Sequence, residues 1–514
     1  MNKNNHQYEI IKKVYEEICL AYGTKKGNPP RLLLINNPHI TAEFRGGQEY
    51  TIVISEKLYE LCRQLGQDSL NALACILGHE LTHFFHNHDK CLSFARQIGK
   101  TDISEQSMVI FEKDADVSGL FYAALAGYSP RVFPLLVEKI YQEFSIQDSG
   151  EYPPLLERKK LAQELLQRVE EIYSVFEAGQ LFFALGKYKQ AEICFEYLLR
   201  KDKFPAREVY NNAGLAIFMQ VLCLVPPPDF QYPLLSDAEL RFRNHSSIEK
   251  QEIKKNIERA RKYFETAKQL DPNYAVAYIN LASLYDFTGR YRQAQGILEE
   301  LLQNEEVNLK LKEETLTAAS IYNIMGIAFA HDSLLKRAEE AFLIAQSLAG
   351  NNLTIQYNVE YFKKFFLINK LTSSSEVTQW KEKMRSLYKE EDQKLQKYLL
   401  QSLKKNHNFS SDNSLLSPQN FAKVEVSDYL TLLYPTNNQN STLRNLIIED
   451  WSTGNLSKYH FSIQKTHPTP LIDACKFKEA VYSVLNIGQS KIAWLNHLNG
   501  SCYLKQIAEY QVYY

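Results

Sequence analysis

The feature that most limits what this chain can fold into is a spacing that recurs through its middle. In YSVFEAGQLFFALGKYKQAEICFEYLL, Gly179 and Ala191 stand twelve residues apart, with Phe182, Gly186, Tyr188 and Phe195 around them. In YINLASLYDFTGRYRQAQGILEELL, Ala282 and Ala294 are again twelve apart, and Tyr285, Gly289 and Tyr291 fall in register with Phe182, Gly186 and Tyr188. IYNIMGIAFAHDSLLKRAEEAFLIA adds Gly326, Phe329, Ala338, Phe342 and Ala345. RARKYFETAKQLDPNYA supplies Ala260, Phe264, Ala267 and Pro272, and Ala260 lies 34 residues before Ala294. Small residues at fixed positions let paired helices approach closely, and the aromatics fill the space between them.

Paired helices with a period of 34 residues resemble the tetratricopeptide repeat (TPR). We count four repeats within 171–370. In one of them an insertion carrying PPPDFQYPLLSDAEL separates the helix with Gly214 from the helix with Ala260. An all-α superhelix of this kind presents a surface for a protein partner. Residues 371–405 read as capping helices and 406–418 as a polar linker. Residues 419–514 read as a small α+β domain of unknown role. VEVSDYLTLLYP, LRNLIIEDW, KYHFSIQ and KQIAEYQVYY look like its strands, and LIDACKFKEAVYSVLNIG like its helix. The basic group Lys254, Lys255, Arg259, Arg261 and Lys262 reads as a solvated helix face.

Residues 1–170 follow a different pattern. A helix is expected over 7–22 and a buried strand over RLLLIN at 31–36. ITAEF and EYTIVIS flank Arg45-Gly46-Gly47-Gln48, a hairpin turn with glycine supplying positive φ. Three or more helices follow. The expectation is an α+β domain on a small, largely antiparallel sheet.

The chemistry sits on the first of those helices. It begins at a cap, Asp68 or Ser69, and carries His79-Glu80-Leu81-Thr82-His83. Histidines four apart project from one helical face and can bind one zinc ion, with Glu80 beside them as a base for water. A third ligand is needed. The residues after the motif, including His86 and Asp89, do not fit the Gly-then-His pattern that would supply it locally. A later helix, FEKDADVSGLFYAALAGYSP, offers Glu112 and Asp116, also four apart. One of these carboxylates can coordinate zinc while the other accepts the second N–H of a ligand histidine.

HELTH, then FFHNH, then EKDADVSGLFYAALAGYSP resembles the HtpX-like and CAAX-prenyl-protease family of zinc metallopeptidases, which are gluzincins. The likeness spans about residues 30–165 and takes in ITAEF upstream and EYPPLLERKKLAQEL downstream. The order of peptidase domain and repeats is BepA-like. The resemblance implies one zinc ion per chain held by His79, His83 and Glu112, and Glu80 as general base. It implies Asp116 as the carboxylate behind a ligand, Arg158 as an orienting arginine, and His88 as the family's histidine five residues past the motif. Tyr152 stands where the family has histidine, and its phenol can donate to a developing oxyanion. A substrate would lie along the edge strand near Ala42, adding to the sheet.

Composition removes other classes. Lys plus Arg is 59 against 60 for Asp plus Glu, a net charge of -1, so there is no cationic surplus to displace phosphate counterions. Nucleic acid is not an expected partner. The most apolar stretch, Gly214 to Val225, contains Gln220 and is 12 residues long, too short to span a bilayer. The first residues are polar and then amphipathic, without a signal-type apolar core. The eight cysteines come no closer than 13 positions, which excludes a CxxC pair and fits a reducing cytoplasm. The membrane helices and export signals of HtpX-like and BepA-like proteins have no counterpart here. The expectation is a cytoplasmic zinc endopeptidase acting on proteins or peptides, with TPR repeats that recruit or gate the substrate. The alternative is a TPR scaffold or chaperone-like binder whose peptidase domain is inactive or latent.

Overall fold

The computed structural model describes residues 3–22, 29–37, 42–46, 49–88, 103–144, 155–184, 187–200, 204–225, 230–232, 247–312, 315–350, 352–367, 379, 421–435, 443–452, 457–464 and 507–513. The chain divides into two compact units between Ser174 and Val175.

In the first unit, helix α1 (Lys3–Tyr22) buries Ile11, Val14, Ile18 and Tyr22. Strands β1 (Arg31–Ile35), β2 (Ala42–Arg45) and β3 (Thr51–Ser55) form a sheet in the order β1-β3-β2. β2 and β3 are antiparallel, with Arg45 opposite Thr51. β1 runs parallel to β3, so the sheet is mixed rather than largely antiparallel. The reason lies in β3. Its TIVIS run is the most buried of the three strands and takes the centre, as a continuous apolar run should. The chain therefore lays β2 on the far edge first and returns between its two neighbours. Gly47 and Gln48 of the expected turn lie outside the described residues.

Helix α2 (Glu56–Arg63) follows, with Ser55 Oγ accepting from the Leu58 N–H at 3.2 Å. Helix α3 (Ser69–Phe85) carries the HExxH motif. Asp68 occupies its N-cap position but does not cap it: its carboxylate accepts from Asn71 Nδ2 at 2.8 Å instead. Helix α4 (Ile103–Leu125) carries Glu112 and Asp116 and ends in a Schellman motif. Gly127 takes φ +93°, its N–H bonds Ala124 O, and the Tyr128 N–H bonds Ala123 O. That geometry explains why glycine stands in the AGYSP segment. Helix α5 (Phe133–Phe144) follows.

Helix α6 (Leu155–Ala184) crosses the boundary, and its last turns open the second unit. There α7 (Tyr188–Leu199) follows, and α8 (Arg207–Leu224) pairs with α9 (Ser247–Leu270). Next, α10 (Ala275–Phe287) pairs with α11 (Tyr291–Gln303), and a short α12 (Glu305–Leu311) intervenes. Then α13 (Thr315–His331) pairs with α14 (Leu335–Ala349), and α15 (Leu353–Phe362) lies against α14. The recurring small residues sit where one helix meets the next. A methyl group on Gly179 would lie 2.8 Å from the Phe195 ring, one on Gly214 3.0 Å from Phe264, and one on Gly326 2.7 Å from Phe342. Ala282, Ala294 and Leu298 fill the corresponding place between α10 and α11, all fully buried.

One member of the basic group departs from expectation. Arg259 reaches across to α7, donating to Glu192 at 2.6 Å and Glu196 at 2.5 Å. Glu192 is buried, so the arginine is drawn inward to balance its charge.

Strands β4 (Phe421–Ser427), β5 (Leu430–Pro435), β6 (Leu443–Asp450), β7 (Ser457–Gln464) and β8 (Ile507–Tyr513) form an antiparallel sheet in chain order. VEVSDYLTLLYP is a hairpin, turning at Asp428 and Tyr429. Gln190 of α7 donates to Asp450 at the end of β6 at 3.0 Å. The expected linker at 406–418 and the LIDACKFKEAVYSVLNIG helix lie outside the described residues, as does 371–405 apart from Gln379. Among the described residues, no helix is long and apolar enough to cross a membrane.

Candidate metal centre

The centre is built where α3 and α4 run antiparallel at closest approach. A methyl group on Gly78 would lie 2.5 Å from the Gly119 carbonyl oxygen, so the two backbones touch there. One turn along, His79 faces Asp116. Two turns along α4, Glu112 comes level with both histidines.

The ligand atoms converge. His79 Nε2 and His83 Nε2 are 3.2 Å apart. Glu112 Oε2 lies 3.2 Å from His79 Nε2, and Glu112 Oε1 lies 3.6 Å from His83 Nε2. Behind them, His79 Nδ1 bonds Asp116 Oδ1 at 2.9 Å, and Arg158 donates to the other oxygen of Asp116 at 3.3 Å. Asp116 is buried, which makes this pairing the fixed end of the arrangement. Since Nδ1 carries the proton toward Asp116, the His79 Nε2 lone pair points at the gap between the three side chains.

Glu80, on the turn beside His79, is buried and accepts from the Phe44 N–H of the edge strand at 2.7 Å. Ala42 lies on the same strand, two residues before Phe44. Burial pushes the Glu80 carboxyl above its usual range. Burial also pulls His79 down, but its hydrogen bonds to the Asp116 and Glu112 carboxylates outweigh it and hold its imidazole well above its usual value. For Glu112, burial is overcome by the His79 hydrogen bond and charge, which lower it. His83 is lowered to about 4, first by burial and then by the charge of His79.

A second cluster extends outward from His83. His88 Nδ1 lies 3.0 Å from His83 Nδ1, and His88 Nε2 lies 3.2 Å from Asp114 Oδ2. His86 Nδ1 reaches the same oxygen at 2.6 Å, and Ser118 Oγ bonds Asp114 Oδ1 at 3.1 Å. His86, His88 and Asp114 could themselves hold an ion by proximity alone. Burial opposes ionisation of Asp114, but the two histidines win and hold it well below the usual carboxylate range.

Residues 5–132 match the family model of Peptidase family M48, and residues 254–308 match the tetratricopeptide repeat. The chain thus joins a segment that matches the M48 peptidase model to one that matches the TPR model. No curated protein matches it. Solved structures with some likeness include two monomeric mutants of IFIT1, one with m7Gppp-AAAA and one with Gppp-AAAA. Each is 14% identical, covers 65% of this chain and 76% of its own, and superposes with a TM-score of 0.27. At that score the likeness carries no argument.

The M48 match takes in all of α3 and α4, with Glu112 and Asp116; Arg158 lies beyond it. Its donor set fits zinc. Two imidazole nitrogens and a carboxylate are a usual zinc set, and a tetrahedron with bonds of ~2.0–2.1 Å has edges of about 3.3–3.4 Å. The separations of 3.2, 3.2 and 3.6 Å among His79, His83 and Glu112 match those edges. The geometry thus brings His79, Glu80, His83, Glu112, Asp116, Arg158 and His88 together. Tyr152 lies outside the described residues. Two residues were missed from sequence. Phe44 was one step along the same strand edge from Ala42, and strand alternation could have found it. Asp114 sits inside EKDAD with only His86 and His88 to give it meaning, and both come from the turn just past the end of α3.

Proposed function

We propose that the chain is a zinc-dependent endopeptidase whose TPR array recruits or gates its protein substrate. The observation that carries this reading is the convergence of His79, His83 and Glu112 at tetrahedral spacing, with a buried carboxylate, Glu80, beside them. A zinc ion held by those three side chains would supply Lewis-acid polarisation of a carbonyl and of water.

The chain's own residues would do the rest. Asp116 fixes the tautomer of His79, and Arg158 steadies Asp116. Glu80 accepts a proton from the attacking water and delivers it to the departing amine nitrogen. Its raised affinity for protons suits both halves of that task. The outward edge of β2, near Ala42, receives an extended substrate as an added strand. Tyr152 is proposed as a donor to the oxyanion.

Proton placement also gives His88 its part. With His83 bonded through Nε2, its proton sits on Nδ1 and faces His88 Nδ1. His88 then carries its own proton on Nε2, directed at Asp114. That arrangement leaves no lone pair on His88 for a second ion. The His83–His88–Asp114 chain acts instead to orient His83. Cys19, Cys62, Cys75, Cys194 and Cys223 are free thiols, which suits the cytoplasm proposed as its compartment.

The test is to capture proteins from the native host with tagged Glu80→Gln beside the wild-type chain, and to identify them by mass spectrometry. A client held by the variant and cut in the wild-type sample supports the reading. The same partners, uncut in both samples, favour a scaffold.

A further inference from the structure

Residues 230–232, between α8 and α9, are held by helices from later in the array, as a peptide ligand is held. Asn358 of α15 grips the backbone of Gln231 from both sides. Its Oδ1 accepts from the Gln231 N–H at 2.7 Å, and its Nδ2 donates to the Gln231 carbonyl at 2.6 Å. These are the two bonds a neighbouring β-strand would make, and they are indifferent to the side chain at 231.

The flanking side chains are read individually. Phe230 is 1% exposed. Its ring meets His331 of α13 at 5.3 Å, Phe342 of α14 at 5.7 Å, Tyr361 of α15 at 5.1 Å and Phe366 at 5.2 Å between centroids. Tyr232 donates its hydroxyl to Asp286 Oδ2 of α10 at 3.0 Å, and His331 Nδ1 holds the same carboxylate at 2.9 Å. Four helices of the array thus contribute to one aromatic pocket, one backbone clamp and one hydroxyl acceptor. Beside the clamp, Asn358 Nδ2 also reaches Asn323 Oδ1 at 3.2 Å. Asn323 Nδ2 is fully buried and has no hydrogen-bond partner, a donor that the loop leaves unused.

The sequence around the loop fits the same purpose. Pro226, Pro227 and Pro228 precede the segment and Pro233 follows Tyr232. Proline biases such a stretch toward extended backbone and lowers the entropy lost on binding.

We propose that this pocket is a peptide-recognition site of the array, occupied in cis by residues 230–232. Its partner in trans is an extended, proline-flanked protein segment with an aromatic residue two positions before an unmodified tyrosine. Asp286 sets the last condition, since a phosphate on that tyrosine would meet a carboxylate. The tethered segment competes at an effective concentration on the order of millimolar, so it must be displaced before the partner binds. The inference rests on the reading of the repeats as a partner-binding module and is independent of the peptidase chemistry.

The test uses the full chain and a labelled peptide of the loop's own sequence, PPPDFQYPLLS, titrated by fluorescence anisotropy. Phe230→Ala and, separately, Gln231→Pro weaken the internal occupant, the first by emptying the aromatic pocket and the second by removing the N–H that Asn358 accepts and fixing the backbone there. Each opened chain should bind the peptide at least about tenfold more tightly than wild type. Adding Asn358→Ala to an opened chain should reverse that gain, and a phosphotyrosine peptide should bind at least about tenfold more weakly. Opened chains that keep their helical circular dichroism yet bind no peptide would overturn the proposal. So would peptide binding that ignores Asn358. If both opening variants lose the helical signal, the segment is a structural strut and the proposal fails. Partner capture from the host is read separately, so failure here with capture intact leaves the recruiting role standing.

Discussion

Gly78 and Gly119 touch through their backbones, and neither position has room for a side chain: a methyl on Gly119 would lie 2.5 Å from the His79 backbone nitrogen. This contact sets the distance between α3 and α4, and therefore the distance between the histidines and Glu112. Glycine is unfavourable inside helices, by roughly 0.5–1 kcal/mol relative to alanine, so its presence at both positions answers to the packing.

Gly78→Ala should therefore separate the helices. Overpacking of this kind costs about 1–3 kcal/mol, and more where backbone must move. The expected result is a lower melting temperature for the first unit together with loss of bound zinc, measured by calorimetry and metal analysis. A variant with normal zinc content and unchanged melting would contradict the packing argument.

Asp116 bonds His79 Nδ1, so in the proposed centre it acts through His79 rather than on the metal. Asp116→Asn should weaken zinc binding by about 10–100-fold while leaving the fold intact. Asp114→Asn should weaken it in the same direction, because the chain through His88 orients His83. Competition with a zinc chelator dye measures both. Unaltered affinity in the Asp114 variant would remove His88 and Asp114 from the metal's support.

The array's glycines provide an internal comparison. Gly326→Ala drives a methyl to 2.7 Å from the Phe342 ring, whereas the same change at Gly296 meets nothing within 4 Å. Gly326→Ala should destabilise the array by about 1–3 kcal/mol. Gly296→Ala should stabilise it by about 0.5–1 kcal/mol through helix propensity. Chemical denaturation of each variant checks the opposite signs.

Glu192 gives a pH dependence. Its side chain is 2% exposed and accepts from Gln220 at 2.8 Å, Lys189 at 2.9 Å and Arg259 at 2.6 Å. Burial raises its carboxyl, but those three donors outweigh it and hold it below the usual glutamate range. A lowered folded-state value means stability present above the unfolded value of about 4.3 and lost as acid approaches the folded one. Glu192→Gln should cost about 1–3 kcal/mol at pH 7, the scale for losing charge-assisted hydrogen bonds, since Arg259 keeps Glu196 and Lys189 stays in solvent. The gap to wild type should narrow as pH falls below about 4. Denaturation midpoints at pH 7 and pH 3.5 decide it; a gap that widens in acid would reverse the assignment.

How much of this was legible beforehand follows from how local each relationship is. His79 with His83, and Glu112 with Asp116, are four residues apart on their own helices, so a single turn's geometry exposes them. The repeat is legible for the same reason: Gly326 and Phe342 belong to adjacent helices joined by a short turn. Asp114 and His88 were not, because their bond depends on the register of α3 against α4. The parallel pairing of β1 with β3 depends on which strand takes the centre of the sheet. Asn358 and Gln231 are 127 residues apart, and no local pattern links them. Asp68 shows the converse: a good capping residue whose side chain finds a nearer partner in Asn71.

The most direct test of the central claim compares wild type with Glu80→Gln on the client that the variant captures, with zinc content measured for both. Equal zinc and a loss of cleavage of about 10²–10⁴-fold in the variant are expected, the contribution of a positioned base. Equal cleavage by the two proteins at equal zinc would contradict the claim.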